Sequence, residues 1–294
     1  MADARPPSID PAAAARWRHA APARSPWLHE EVGRRMAERL EWIRIAPATW
    51  ADWEPVRGGL EAHRLVAARY PRAQCWVVEH APKHVAAARR ELARPWWRLG
   101  AAAVHFDAVP AAGVQMLWAN MALHMAADPQ TLIAAWHRTL AVDGFLMFSC
   151  FGPDTLRELR ALYARLGWPP PAHEFTDMHD WGDMLVHAGF AEPVMDMERV
   201  TLTWESPGRM LGELRELGAN LNRARFTGLR GRAWRRQLDA HLDGLRGADG
   251  RLALTFEIVY GHAIKPLPRV RVAGESAVSV QDLQTMLRGG RKPG

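Results

Sequence analysis

Only two cysteines occur in 294 residues, too few for a disulfide framework. Cys75 and Cys150 each lie in an apolar, strand-like stretch, which suits buried thiols in a reducing, cytoplasmic setting. No run approaches the roughly 18 apolar residues of a membrane-spanning helix, so no membrane span is expected. The Met1–Arg24 stretch is rich in Ala, Pro and Arg, lacks a continuous apolar stretch of the kind a secretion signal needs, and reads as a flexible N-terminal segment. Zinc-finger spacing, an aromatic RNA-binding strand and a concentrated basic block are all missing. Nucleic acid is therefore not an expected partner, although a net charge of +6 suits an acidic one. No internal repeat is apparent.

What is present is a hydrophobic fraction of 48%, ample for a continuous core. Ser25 and Pro26 open a helix with Val32, Met36, Leu40 and Ile43 on one stripe. A helical segment through Ala62, Leu65 and Val66 stops at Tyr70-Pro71, and the strand-like run Cys75–Val78 follows. Next come a helix over Val85–Leu92, a strand over Val104–Asp107 and another over Val114–Trp118. Asp128-Pro129 starts a further helix, and Asp143-Gly144 turns it into the strand Phe145–Phe148. Strands that are apolar throughout and separated by helices argue for a doubly wound, mostly parallel α/β sheet covered on both faces.

Beyond Ser149 the texture changes. A helix with Leu156, Leu159 and Tyr163 ends at Gly167, and Thr176 caps a short one with Trp181 and Leu185. Val200, Leu202 and Trp204, and later Leu252 to Tyr260, alternate with polar or small residues, predicting antiparallel C-terminal edge strands. The Arg-rich interval 206–245 between them reads as a helical insertion in a domain spanning 25–271, followed by a disordered tail over 272–294.

In open α/β sheets ligands bind beyond the carboxyl ends of the strands. Glu79, Asp107 and Asn120 each follow a strand. The first carboxylate suits ribose hydroxyls and the second an adenine amino group. Asn120 stands where a reacting group would meet the rest of a nucleotide-like cofactor. His173, Asp177, His179 and Asp180 match no paired-ligand motif, so no metal is expected, and no G-x-S-x-G element marks a nucleophile elbow. The arginines Arg157, Arg160, Arg223, Arg225 and Arg230 are available to meet an acidic partner near the mouth of a site.

The segments Trp118–Leu123, Phe148–Arg160, Phe175–Asp180, Ala188–Phe190, Met195-Asp196 and Tyr260–Ala263 together resemble the class I S-adenosylmethionine-dependent methyltransferases, and within them the malonyl-acyl carrier protein O-methyltransferases of biotin synthesis and their relative, a mitochondrial complex I assembly factor. The resemblance implies a Rossmann-like methyltransferase fold, S-adenosylmethionine as cofactor, acyl carrier protein as partner, and transfer of a methyl group to a malonyl-type carboxylate. Such proteins carry a D-x-G-x-G-x-G loop after the first strand. Here Asp52 takes the acidic position, Glu54 and Val56 the first two glycine positions and Gly58 the third, with Gly59 next. A Cβ where φ must be positive costs about 1 kcal/mol or more, and side-chain bulk at the ligand costs further. Asp52, Gly58, Gly59, Glu79, Asp107 and Asn120 are the expected cofactor-binding residues. The altered loop motivates a rival: a methyltransferase fold kept as an interaction or assembly module. The assembly-factor relative adds a third reading, hydroxylation of a partner's arginine.

Overall fold

The computed structural model describes residues 9–93 and 102–268. Strands β1 (Thr49–Trp53), β2 (Gln74–Val78), β3 (Val104–His105), β4 (Val114–Ala119), β5 (Leu140–Phe151), β6 (Ala191–Trp204) and β7 (Leu252–Ile264) form one seven-stranded sheet, in the order β3-β2-β1-β4-β5-β7-β6. The first five run parallel, and β7 lies antiparallel between β5 and β6. The expected doubly wound sheet with antiparallel edge strands is therefore present. Strand order reverses between β1 and β4, which fixes the crevice where a ligand should bind.

Helices cover both faces: α1 (Pro11–Ala20), α2 (Trp27–Arg39), α3 (Pro55–Gly58), α4 (Leu60–Arg69), α5 (Pro82–Leu92), α6 (Pro129–Thr139), α7 (Arg157–Arg165), α8 (Met178–His187), α9 (Pro207–Leu217) and α10 (Arg232–Asp243). Because side chains alternate across a strand, Met116 and Trp118 of β4 enter the core shared with α2 and α4, while Leu117 and Ala119 enter the core beneath α6 and α8. Helices α9 and α10 fill the interval between β6 and β7, as the sequence led one to expect. The proposed tail lies outside the described residues.

Three expectations are corrected. Residues 9–24 are not a flexible leader. Asp10 caps α1, accepting from the amides of Ala12 and Ala13, pairs with Arg225 at 2.6 Å, and its own amide donates to Leu221 O at 2.8 Å. Ile9, Ala13 and Ala14 are buried against Leu221. The Asp143-Gly144 turn is instead a kink inside β5, with Asp143 at φ 60° and its amide donating to Lys265 O. Asp177 rather than Thr176 caps α8.

One glycine sets the sheet's packing. Gly261 of β7 pairs with Phe148 of β5, and a Cβ there would meet the Phe148 ring at 2.1 Å. Phe148 is fully buried and has no space to retreat. Gly261→Ala should destabilise the chain by about 1–3 kcal/mol in urea unfolding. A change below about 0.5 kcal/mol would show that the ring moves freely.

Candidate active site

A cavity of about 470 Å³ opens at the carboxyl ends of β1, β2 and β4, lined among others by Trp17, Glu54, Arg57, Glu79, His84 and Met121. Beside it lies a second cavity of about 450 Å³ that is mostly apolar, with Phe151, Leu159, Tyr163, Phe175 and Leu214 in its wall. Trp17, Met125 and Leu217 line both, so the two adjoin.

Glu79 is the predicted residue that the structure places in the first cavity. Its side chain is 2% exposed, and Oε1 accepts from Val56 N at 2.9 Å. Oε2 has no hydrogen-bond partner among the described residues, and the nearest base, His84 Nδ1, is 3.8 Å away. Burial, with the Glu54 and Asp52 carboxylates nearby, pushes its pKa up to about 8. A buried carboxyl oxygen without a partner, on a residue that lines a cavity, is what a ligand hydroxyl would satisfy. The residues present thus fit the ribose end of an adenosyl cofactor.

The other predicted residues build the walls. Asp52 is buried 2.8 Å from His63 Nδ1, under the loop rather than in it, and burial raises its pKa. Asn120 donates to His29 O at 2.7 Å and to Gly58 O and accepts from Ser149 Oγ at 2.5 Å, so its amide is fully engaged. Asp107 is exposed beyond the two-residue β3 and does not line the cavity. Gly58 leaves room for the Asn120 carbonyl, which a Cβ would meet at 2.8 Å, and Gly59 takes φ +141°, a conformation L residues rarely adopt.

The altered loop is accommodated locally. Glu54 adopts φ 56° and ψ 48°, so the glycine position is kept in shape at a cost of about 1 kcal/mol. Val56 needs no such conformation. It lies in the single turn α3, fully buried, so its bulk joins the core and is not aimed at a ligand. The amides of Leu60, Glu61 and Ala62 that open α4 donate to the Glu30 carboxylate at 2.9–3.2 Å, filling an anion site that such loops leave available.

Sequence reasoning passes over His29 and His124 and weighs His173 only as a metal ligand. His29 lines the first cavity, and His124 and His173 line the second, all three buried. Their only signal was a histidine in an otherwise apolar segment four residues after Asn120. Elsewhere, His179 and Asp180 are exposed, whereas Asp177 is used as a cap. The arginines expected at the mouth line neither cavity. Arg225 pairs with Asp10, Arg157 faces Asp154 and Glu158, and Arg230 stacks over Trp234.

Comparison with known proteins decides the family. The chain is 42% identical over 255 residues to the malonyl-(acyl-carrier protein) O-methyltransferase of Laribacter hongkongensis, covering 83% of this chain and 84% of that one. To the enzyme of the same name from Gallionella capsiferriformans it is 40% identical over 262 residues, covering 85% and 88%. The chain belongs to the malonyl-(acyl-carrier protein) O-methyltransferase family. No family model matches it. At the level of fold, the crystal structure of the YcgJ protein of Bacillus subtilis superposes with a TM-score of 0.53 at 14% identity, over 81% of this chain and 99% of that one. No helix among the described residues is long and apolar enough to cross a membrane.

Glu79 gives a pH test of the site. A carboxyl whose folded pKa lies above its ordinary 4.5 contributes stability that is full below pH 4.5 and lost as pH rises through about 8. Burial drives the pKa of His29 down to about 3 and that of His173 to about 4, so these act in the opposite sense, their stability present above 6.5 and lost on acidification. The difference between Glu79→Gln and the parent isolates the carboxyl. The variant should gain stability relative to the parent between pH 5 and pH 9 in thermal melts without ligand. A difference that stays flat would mean Glu79 is ionised and solvated throughout.

Proposed function

We propose that the chain methylates the free carboxylate of a malonyl thioester carried on acyl carrier protein, with S-adenosylmethionine as methyl donor, a step belonging to biotin synthesis. The carrying observation is the pair of adjoining cavities, one with the half-partnered Glu79 carboxyl and the other apolar. S-adenosylmethionine supplies a methyl bound to a sulfonium, which passes to a carboxylate oxygen while the C–S electron pair stays on sulfur. No proton moves, so the step needs no general acid or base. The protein's contribution is position, exclusion of water and fixed dipoles. Glu79 takes the ribose hydroxyls, with the Met121–Ala122 backbone beyond β4 beside the reacting group. The apolar cavity takes the acyl arm, and the chain's positive charge suits an acidic carrier protein. A cytoplasmic location follows from that partner.

Calorimetric titration with S-adenosylhomocysteine, followed by methyl transfer to malonyl-acyl carrier protein measured by mass, tests this reading. Micromolar binding and a 14 Da gain on the acyl group are expected, about the mass of one CH₂ unit. Glu79→Ala should weaken binding by about tenfold or more through the lost hydrogen bonds to the ribose. Glu54→Gly removes a carboxylate from the cavity and should tighten it. Binding that emerges only in Glu54→Gly would favour the rival, an interaction or assembly module.

A further inference from the structure

At the junction of the two cavities three buried imidazoles come together. His29 Nδ1 faces Arg57 O at 2.8 Å, and His173 Nε2 faces His124 O at 2.9 Å. That leaves His29 Nε2, His173 Nδ1 and both ring nitrogens of His124 buried with no hydrogen-bond partner among the described residues. His124 is 4% exposed, 4.5 Å from the Phe151 ring, 6.1 Å from Phe175 and 6.4 Å from His29 between centroids. Burying a polar group unpaired destabilises the fold, so a core position serving packing alone would be better filled by Leu or Phe. Metal binding does not explain the cluster, since no group of three or more His, Cys, Asp or Glu among the described residues could hold an ion.

We propose that His124 is an acceptor-recognition residue, its ring N–H donating to a carboxylate oxygen delivered through the apolar cavity, with the open nitrogens of His29 and His173 flanking the same point. This rests on the methyl-acceptor reading given above and adds to it the group that holds the acceptor. Burial, reinforced by His29, His173 and Arg57, keeps His124 neutral at physiological pH. A neutral imidazole carries one donor and one lone pair. Such a donor fixes the plane of a carboxylate without tying up its charge in an ion pair, so the second oxygen stays nucleophilic. An arginine or lysine at this place would hold the same carboxylate more tightly and blunt its attack.

The full chain carrying His124→Phe or His124→Gln tests this. With malonyl-acyl carrier protein, His124→Phe should lower kcat/KM by about 10–100-fold, the loss of one hydrogen bond to a charged group. His124→Gln, which restores a neutral donor, should recover most of that loss. S-adenosylhomocysteine affinity should stay within about twofold in both, as expected of a residue that touches only the acceptor. Full activity in His124→Phe, cofactor affinity falling in step with rate, or glutamine no better than phenylalanine would overturn the assignment. If the parent chain binds S-adenosylhomocysteine yet methylates nothing, the acceptor reading fails by itself. Ring ¹⁵N spectra then decide: titration with malonyl-pantetheine should still move the His124 resonances, and their indifference would end the proposal.

Discussion

The geometry of the whole site hangs on one buried amide. Asn120 stands at the end of the central strand β4 and ties three otherwise separate pieces together: α2 through His29 O, the loop through Gly58 O, and β5 through Ser149 Oγ. Space around it is kept by glycines. A Cβ on Gly33 would come within 2.9 Å of its Nδ2, and one on Gly58 within 2.8 Å of its carbonyl oxygen. Breaking such a network leaves several buried groups unpaired at once, so its members act as a unit rather than as separable bonds. Asn120 therefore serves the ligand indirectly, by setting where the loop and the following residues Met121 and Ala122 stand.

This constraint explains which parts of the glycine loop changed and which did not. Gly58 and Gly59 are retained where the Asn120 carbonyl, Ala62 and the Glu30 carboxylate crowd the backbone. Of the other two positions, Glu54 bears a modest left-handed strain, and Val56 has become part of the hydrophobic core. Glu30 then occupies the start of α4, where an anion would otherwise sit. What the sequence presents as damage is in the structure an exchange of partners. The cavity beside Glu79 is open, and its polarity has shifted toward negative charge through Glu54.

Legibility in the sequence followed the range of the interactions. Apolar runs such as Cys75–Val78 and Phe145–Phe148 disclosed buried parallel strands, and the alternation over Leu252–Tyr260 disclosed the edge, because strand periodicity is local. Glu79 was legible through the rule that ligands sit past strand ends. Asp107 obeyed the same rule, yet the strand before it is only two residues long and the carboxylate stays exposed. The N-terminal segment was misread because α1 is Ala- and Arg-rich with only a weak apolar stripe. What holds it are Leu221, Asn222 and Arg225, some two hundred residues away. The histidine cluster was hidden for the same reason: His29, His124 and His173 meet only after folding.

Closure of the site depends on a partly buried cation. Arg57, in the loop turn α3, donates to Arg24 O, Glu216 O and Leu217 O, and its guanidinium lies over the Trp17 ring. Burial lowers its pKa to about 10, a measure of how much solvation it has given up for those carbonyls. Through it, the segment leading from α1 and the end of α9 are fastened to the loop that shapes the Glu79 cavity. Trp17 of α1 and Leu217 of α9, together with Met125, line both cavities. The helical insertion and the N-terminal helix are thereby joined to the cofactor loop by hydrogen bonds and not merely laid over it.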